Sequence, residues 1–341
     1  MYNLVEKNEV SEIKFSEKRV SVKSMNKSCV TKINKPKKKW DSRNVTVFVV
    51  ATIGLAIVIL FHYVPMFGMV LAFKDADYTS NLLKGLLMGD FVGFKNFELF
   101  LKDVDFWNVM TNTVALNVIM LAINFPAPIL FALLINEVMH SFFKKAVHII
   151  STFPHFISWA IYGGIVIALT DQTTGIVNPI LEFLGLSSSA DSVYLMGEKY
   201  IWTIIVLSSI IKSVGWGSII YLAAISGIDI QLYEAAELDG INRFQKAVYI
   251  TLPSIASTIT VFLLLNISRL LGNSFEQFNS LQNVVNLNKS EVLATYVYRM
   301  SFSSRRYSYA MAISLFESCV SLFLLIASNF ISKKTTGRGL F

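Results

Sequence analysis

Between two long apolar runs of this 341-residue chain lies a stretch whose groups can dock rather than react: Glu234, Ala235, Ala236, Asp239, Gly240 and, at its far end, Pro253. Glu234 offers a carboxylate that a partner guanidinium can grip through two charge-assisted hydrogen bonds. The paired alanines let a helix lie close to another surface, and Gly240 can take the left-handed backbone that stops it. Asp229 is placed to cap that helix, which the spacing predicts at about three turns. A second short helical stretch, Arg243 to Ile250, carries Arg243 and Lys246. Pro253 then suits the first turn of the next apolar helix, where a missing N–H is not needed. The plainer reading is an amphipathic connector between two spans.

A second set of residues sits inside the apolar runs: Trp159, Tyr162, Lys212, Trp216, Tyr221, Asn266, Arg269 and Asn273, with Asn117, Asn124 and Glu317 as further polar residues of the spans. Aromatic rings can stack on a sugar face and amides can give and accept hydrogen bonds, so these are the candidates for lining a substrate path. A lysine or arginine at the centre of a span costs about 2.5–3.5 kcal/mol on insertion scales, so Lys212 and Arg269 must face the interior or a wet cavity. Either can pair with Glu317. A structural ion pair and a substrate contact both fit each cation, and Trp202, near a span end, reads as an interfacial anchor.

Catalysis finds no footing. The four histidines, His62, His140, His148 and His155, form no His-Glu-x-x-His pattern, and neither a Gly-x-Ser-x-Gly elbow nor a phosphate-binding glycine loop appears. Cys29 and Cys319 have no metal-like or disulfide spacing. The expectation is therefore a non-enzyme with no metal and no cofactor of its own. Apart from Glu317 the spans hold almost no acids, so the buried carboxylates of an ion-driven carrier are missing and energy must enter from elsewhere.

Composition says what these residues are set in. With 54% hydrophobic and 16% charged residues and a mean hydropathy of +0.54, the chain reads as an all-α integral membrane protein. Twelve of its thirty Lys and Arg lie in the first 43 positions, so the net charge of +7 describes a basic tail, 1–44, near anionic lipid rather than a nucleic-acid partner. Six spans of about the length a bilayer needs are predicted, at roughly 45–70, 111–136, 146–170, 201–227, 252–274 and 309–331. Lys144, Lys145, Arg243, Lys246, Lys333 and Lys334 then share the side of the tail, which places both termini and the 229–251 loop in the cytoplasm. Acids dominate the opposite loops, although Arg299, Arg305 and Arg306 run against the bias. The division expected is a tail to 44, a first span and extracytoplasmic loop at 45–110, a core of five spans at 111–331 and a short basic end at 332–341. Gly163, Gly164, Gly215, Gly217 and Gly272 read mainly as close-packing positions.

The 234–253 stretch also follows a known pattern: Glu-Ala-Ala, three residues, Gly, nine residues, Ile, one residue, Leu-Pro. It resembles the EAA loop of permease subunits of type I ABC importers that depend on a binding protein. Tyr-Val-Pro-Met-Phe-Gly at 63–68, Phe-Pro-His-Phe-Ile-Ser-Trp at 153–159, Trp216-Gly217-Ser218 and Phe275-Glu276-Gln277 resemble the carbohydrate-uptake branch, of polysaccharide and oligosaccharide type. The likeness runs from about residue 45 to the end. It implies that Glu234 to Gly240 is a coupling helix seated in a cytoplasmic ATPase. It also implies a second homologous permease, two ATPase subunits holding ATP and Mg, an extracytoplasmic solute-binding protein, a sugar substrate and a place in the bacterial cell membrane. A self-sufficient secondary transporter is the alternative, and it lacks the buried acids or ion sites that mechanism needs.

Overall fold

A computed structural model of the chain describes residues 42–77, 82–185, 194–272, 274–337 and 339. Nearly all of the basic tail, and Asn273, lie outside the described residues. The chain divides into two units, 1–59 and 60–341. The first contributes the helix Ser42–Val58, apolar and exposed along its described length. Such an all-round apolar helix is stable only against lipid or other spans.

In lipid every backbone N–H and C=O must find a partner within the protein, and helices do this segment by segment. Four unbroken helices are long and apolar enough to cross a membrane: Val45–Phe73, Phe106–Asn136, Ile201–Ser226 and Tyr307–Lys334. Counting two bent pairs as one span each brings the number to six. The second of the four runs through Pro126 and Pro128, which divide it into Phe106–Asn124 and Pro126–Asn136. The fold is helical as expected, apart from a two-residue antiparallel ladder pairing Lys74 with Phe91 and Asp75 with Asp90.

Two predicted spans are broken. In place of one helix over 146–170, Ser141–Phe156 and Trp159–Thr170 meet at 104°. Pro154 has no N–H to continue the ladder, and Ser158 starts the new helix by accepting from the Ile161 N–H. The carbonyls freed at the bend turn to Lys212, whose ammonium donates to Pro154 at 3.0 Å, His155 at 3.1 Å and also Ile157. The expected helix from Arg243 continues to Ser254, with Pro253 in the first positions of its last turn, but in place of one span over 252–274 the chain bends and Ala256–Ser268 follows at 67°. The helix from Arg243 has its start fixed by a reciprocal capping box between Asn242 and Gln245. It then loosens into a π turn over Ala247–Thr251, where the Leu252 N–H reaches back to Ala247, before the proline ends it.

The Ile201–Ser226 helix is the hub of the second unit. A Cβ on Gly215 would fall 2.3 Å from the Ser151 carbonyl carbon, so this helix lies backbone to backbone on Ser141–Thr152. Its other face buries Tyr221 and Ile225 with Ile129, Ala132 and Ile255. At the opposite end of the bundle, Asp77 accepts from the backbone N–H groups of Ser308 (2.8 Å) and Tyr309 (3.3 Å) and so caps the last helix from far away in sequence. Arg299 there meets Glu291 at 2.6 Å and Asp105 at 3.0 Å, and Arg306 lies 3.8 Å from Asp77. Burial works against the charge on Arg299, but the hydrogen bonds it donates to Glu291 prevail and hold its pKa above the usual arginine range. Two of the three arginines that run against the charge bias are thus neutralised locally.

Candidate functional site

The docking stretch folds as its residues dictate. Asp229 Oδ1 accepts from the Gln231 N–H at 3.0 Å and opens the helix Ile230–Leu238, nine residues long and so half a turn short of the expected three turns. Gly240, with φ of +74°, closes it. Its N–H bonds to Glu237 and that of Ile241 to Ala236, the reciprocal pair that satisfies a helix C-terminus. Ala236 packs inward, while Glu234, Ala235, Asp239, Gly240 and Pro253 are exposed. Around them stand uncovered apolar groups, Leu232, Phe244, Tyr249 and Leu238, the last 91% exposed. The exposed face thus sets three carboxylates, Glu234, Glu237 and Asp239, among bare apolar side chains.

This face is tied to the next helix. The Lys246 ammonium lies 2.6 Å from Glu237 Oε1, and that hydrogen bond holds the Glu237 carboxyl below the usual carboxylate range. Tyr233 and Thr251 share a hydroxyl–hydroxyl bond of 2.9 Å, with Thr251 buried. Both links run from Ile230–Leu238 to the helix beginning at Arg243, so a pull on one moves the other.

Deeper in the bundle is a cavity of about 420 Å³. It gathers four of the eight expected path residues: Trp216 and Tyr221 from Ile201–Ser226, Asn266 from Ala256–Ser268, and Arg269 just beyond it. The facing wall is Asn117, Met120 and Asn124 from the helix Phe106–Asn124, with Ser209 and Ser213 between. Asn124 donates to Ser209 Oγ at 2.8 Å, and its buried Oδ1 has no partner among the described residues. The lining therefore mixes amides, hydroxyls, aromatic faces and one guanidinium.

Trp159, Tyr162 and Lys212 form a separate cluster at the 104° bend. The Lys212 ammonium sits 5.2 Å and 5.4 Å from the two ring centroids, and the Tyr162 hydroxyl donates to the Ser208 carbonyl. His155, at the bend, stacks flat on Trp216 at 4.6 Å and joins the cluster to the cavity. Neither Lys212 nor Arg269 pairs with Glu317 among the described residues. Ser209, Ser213 and Phe262 were not expected in the lining. Their signal was helical spacing: Ser209, Ser213 and Trp216 follow an i, i+4, i+7 stripe, as Asn117 and Asn124 lie two turns apart.

Comparison with known proteins places this architecture. Residues 106–335 match the family model of the binding-protein-dependent transport system inner membrane component, roughly two thirds of the chain. Protein LplB of Bacillus subtilis (strain 168) is 38% identical over 288 residues, covering 84% of this chain and 88% of its own. The polygalacturonan/rhamnogalacturonan transport system permease protein YteP of the same organism matches at the same identity and coverage. Among solved structures, a chain of a bacterial alginate ABC transporter, crystallised with an alginate pentasaccharide-bound periplasmic protein, superposes with a TM-score of 0.77. It is 34% identical and covers 87% of this chain and 97% of that one. The chain is a multi-pass membrane protein, and it belongs to the binding-protein-dependent inner membrane components, the non-catalytic permeases of ABC importers.

Proposed function

We propose that this chain forms one half of the path by which an oligosaccharide enters a bacterial cell across the cytoplasmic membrane. The other half would be a second, homologous permease, two cytoplasmic ATPase subunits would drive the movement, and an extracytoplasmic binding protein would deliver the sugar. The observation that carries the reading is the 420 Å³ cavity of amide, hydroxyl and aromatic groups, the chemistry that fits a polyhydroxylated ring. The relatives' named cargos, polygalacturonan/rhamnogalacturonan and alginate, are carbohydrates and support it. In this reading ATP and Mg stay on the partner subunits, and the chain itself binds no cofactor.

Coupling follows from the docking helix. Closure of an ATPase pair moves Ile230–Leu238 as a rigid piece, with Glu234 held by a partner arginine and Gly240 fixing its end. The Glu237–Lys246 and Tyr233–Thr251 links pass that motion to the helix from Arg243 and on to Ala256–Ser268, which carries Asn266 into the cavity. The test is Glu234→Lys. The variant should insert and accumulate normally, yet lose co-purification with the ATPase and oligosaccharide uptake. Uptake at the wild-type rate, or ion-gradient uptake by this chain alone in liposomes, would sink the reading.

A further inference from the structure

Several cations of the second unit have partners within the chain. Lys212 is consumed by backbone carbonyls, Arg299 by Glu291 and Asp105, and Arg306 by Asp77. Arg269 is different. Its guanidinium lines the cavity beside Asn266 and has no carboxylate within 4 Å and no hydrogen bond among the described residues. Arg269 is exposed, so its guanidinium is open to a ligand, and an ionisable residue in a predicted span marks a functional site by default.

One carboxylate lies close without engaging it. Glu317, half-buried on the last long helix, shares with Arg269, Ser268, Gly272 and Ser321 a second recess of about 420 Å³ behind the first. A Cβ on Gly272 would sit 3.6 Å from Glu317 Oε1, so the glutamate already touches the turn that carries the arginine. Arg269 thus lines two spaces, one shared with an internal acid and the other walled by amides, hydroxyls and aromatic rings.

We propose that the substrate carries a carboxylate, as a uronate oligosaccharide does, and that Arg269 reads it, with Glu317 as the chain's own rival for the guanidinium. This rests on the sugar-path reading above and adds the charge of the sugar and the residue that selects it. A planar guanidinium matches a carboxylate with two parallel hydrogen bonds, which a neutral sugar cannot return. Glu317 gives Arg269 a partner to return to after the sugar has moved on, so binding need not become a trap.

The experiment is uptake by cells carrying the whole importer, using trigalacturonate, its methyl ester and neutral galactotriose. Within each variant the readout is the ratio of acid to ester uptake, which a general loss of folding leaves unchanged. Wild type should favour the acid, Arg269→Gln should lower the ratio about ten-fold, the equivalent of about 1.4 kcal/mol, and Arg269→Lys should recover part of it. Glu317→Gln should lower the acid concentration needed for half-maximal uptake. A ratio that Arg269→Gln leaves unchanged overturns the proposal. Uptake of the neutral sugar alone, indifferent to Arg269, overturns it while the sugar-path reading stands. Uptake of no oligosaccharide overturns both.

Discussion

Lys212→Met tests the account of the broken third span most sharply. Methionine nearly matches the aliphatic volume of lysine, so packing is conserved while the ammonium is removed. Lys212 is 6% exposed and donates to three carbonyls, those of Pro154, His155 and Ile157. Hydrogen bonds involving a charged group contribute about 1.5–3 kcal/mol each, so the three together stabilise the bend by roughly 5–9 kcal/mol. Against this stands about 2.5–3.5 kcal/mol for placing a lysine in a span. The net is about 2–6 kcal/mol in favour of the lysine. Replacing a buried charge with an apolar side chain is often neutral when its partner goes too; here the partners are backbone and remain, and of the three only the Pro154 carbonyl keeps another donor among the described residues, the Ile157 N–H at 3.3 Å. Unfolding of the purified chain in mixed micelles with increasing SDS should show that loss, with Lys212→Arg recovering part of it through its own donors. A methionine variant within about 0.5 kcal/mol of wild type would refute the claim that the ammonium holds the bend.

Two further outcomes follow from the packing. Tyr233→Phe removes one 2.9 Å bond between the docking helix and Thr251, worth about 0.5–1.5 kcal/mol; ATPase co-purification should persist while ATP hydrolysed per sugar imported rises, and an unchanged ratio would dismiss the link. Gly215→Val should abolish folded protein in the membrane fraction, because its Cβ would lie 2.3 Å from the Ser151 backbone, whereas Gly217→Ala, facing Pro128 Cγ at 3.0 Å, should fold with a modest loss. Equal yields of the two would show that the helices can separate.

The helix Ile230–Leu238 was legible because every signal in it is local. Asp229, the alanines and Gly240 act through hydrogen bonds spanning a few residues, and the helix begins and ends where they say. The broken spans were not legible, because hydropathy reports apolar length and carries no sign of direction. Pro154 and Pro253 mark both breaks, yet Pro126 and Pro128 look alike in sequence and leave their span passing as one. What differs at Pro154 is a lysine 58 residues away, and no local pattern contains it. The cavity was half legible for the same reason. Trp216, Tyr221, Asn266 and Arg269 stand out as polar or aromatic in apolar runs, while Ser209 and Ser213 are unremarkable until their shared face is known. Lys212 belonged to the same list on chemistry alone, and the structure gives it backbone partners instead.

The cap that Asp77 places on the last helix has a consequence in time. Its donor, the Ser308 N–H, lies 231 residues further along. At about 5–20 residues per second of synthesis, Asp77 waits roughly 10–50 s before that N–H exists. During that interval the helix Phe67–Phe73, which will pack on Tyr307–Thr336, has the segment up to Leu101 against it but not its last neighbour. The protein's birth is therefore ordered, with the earliest contacts among the last to close. A ribosome that stops short of residue 307 leaves Asp77 with no helix to cap and a helix without its neighbour. Those are visible marks of an unfinished chain.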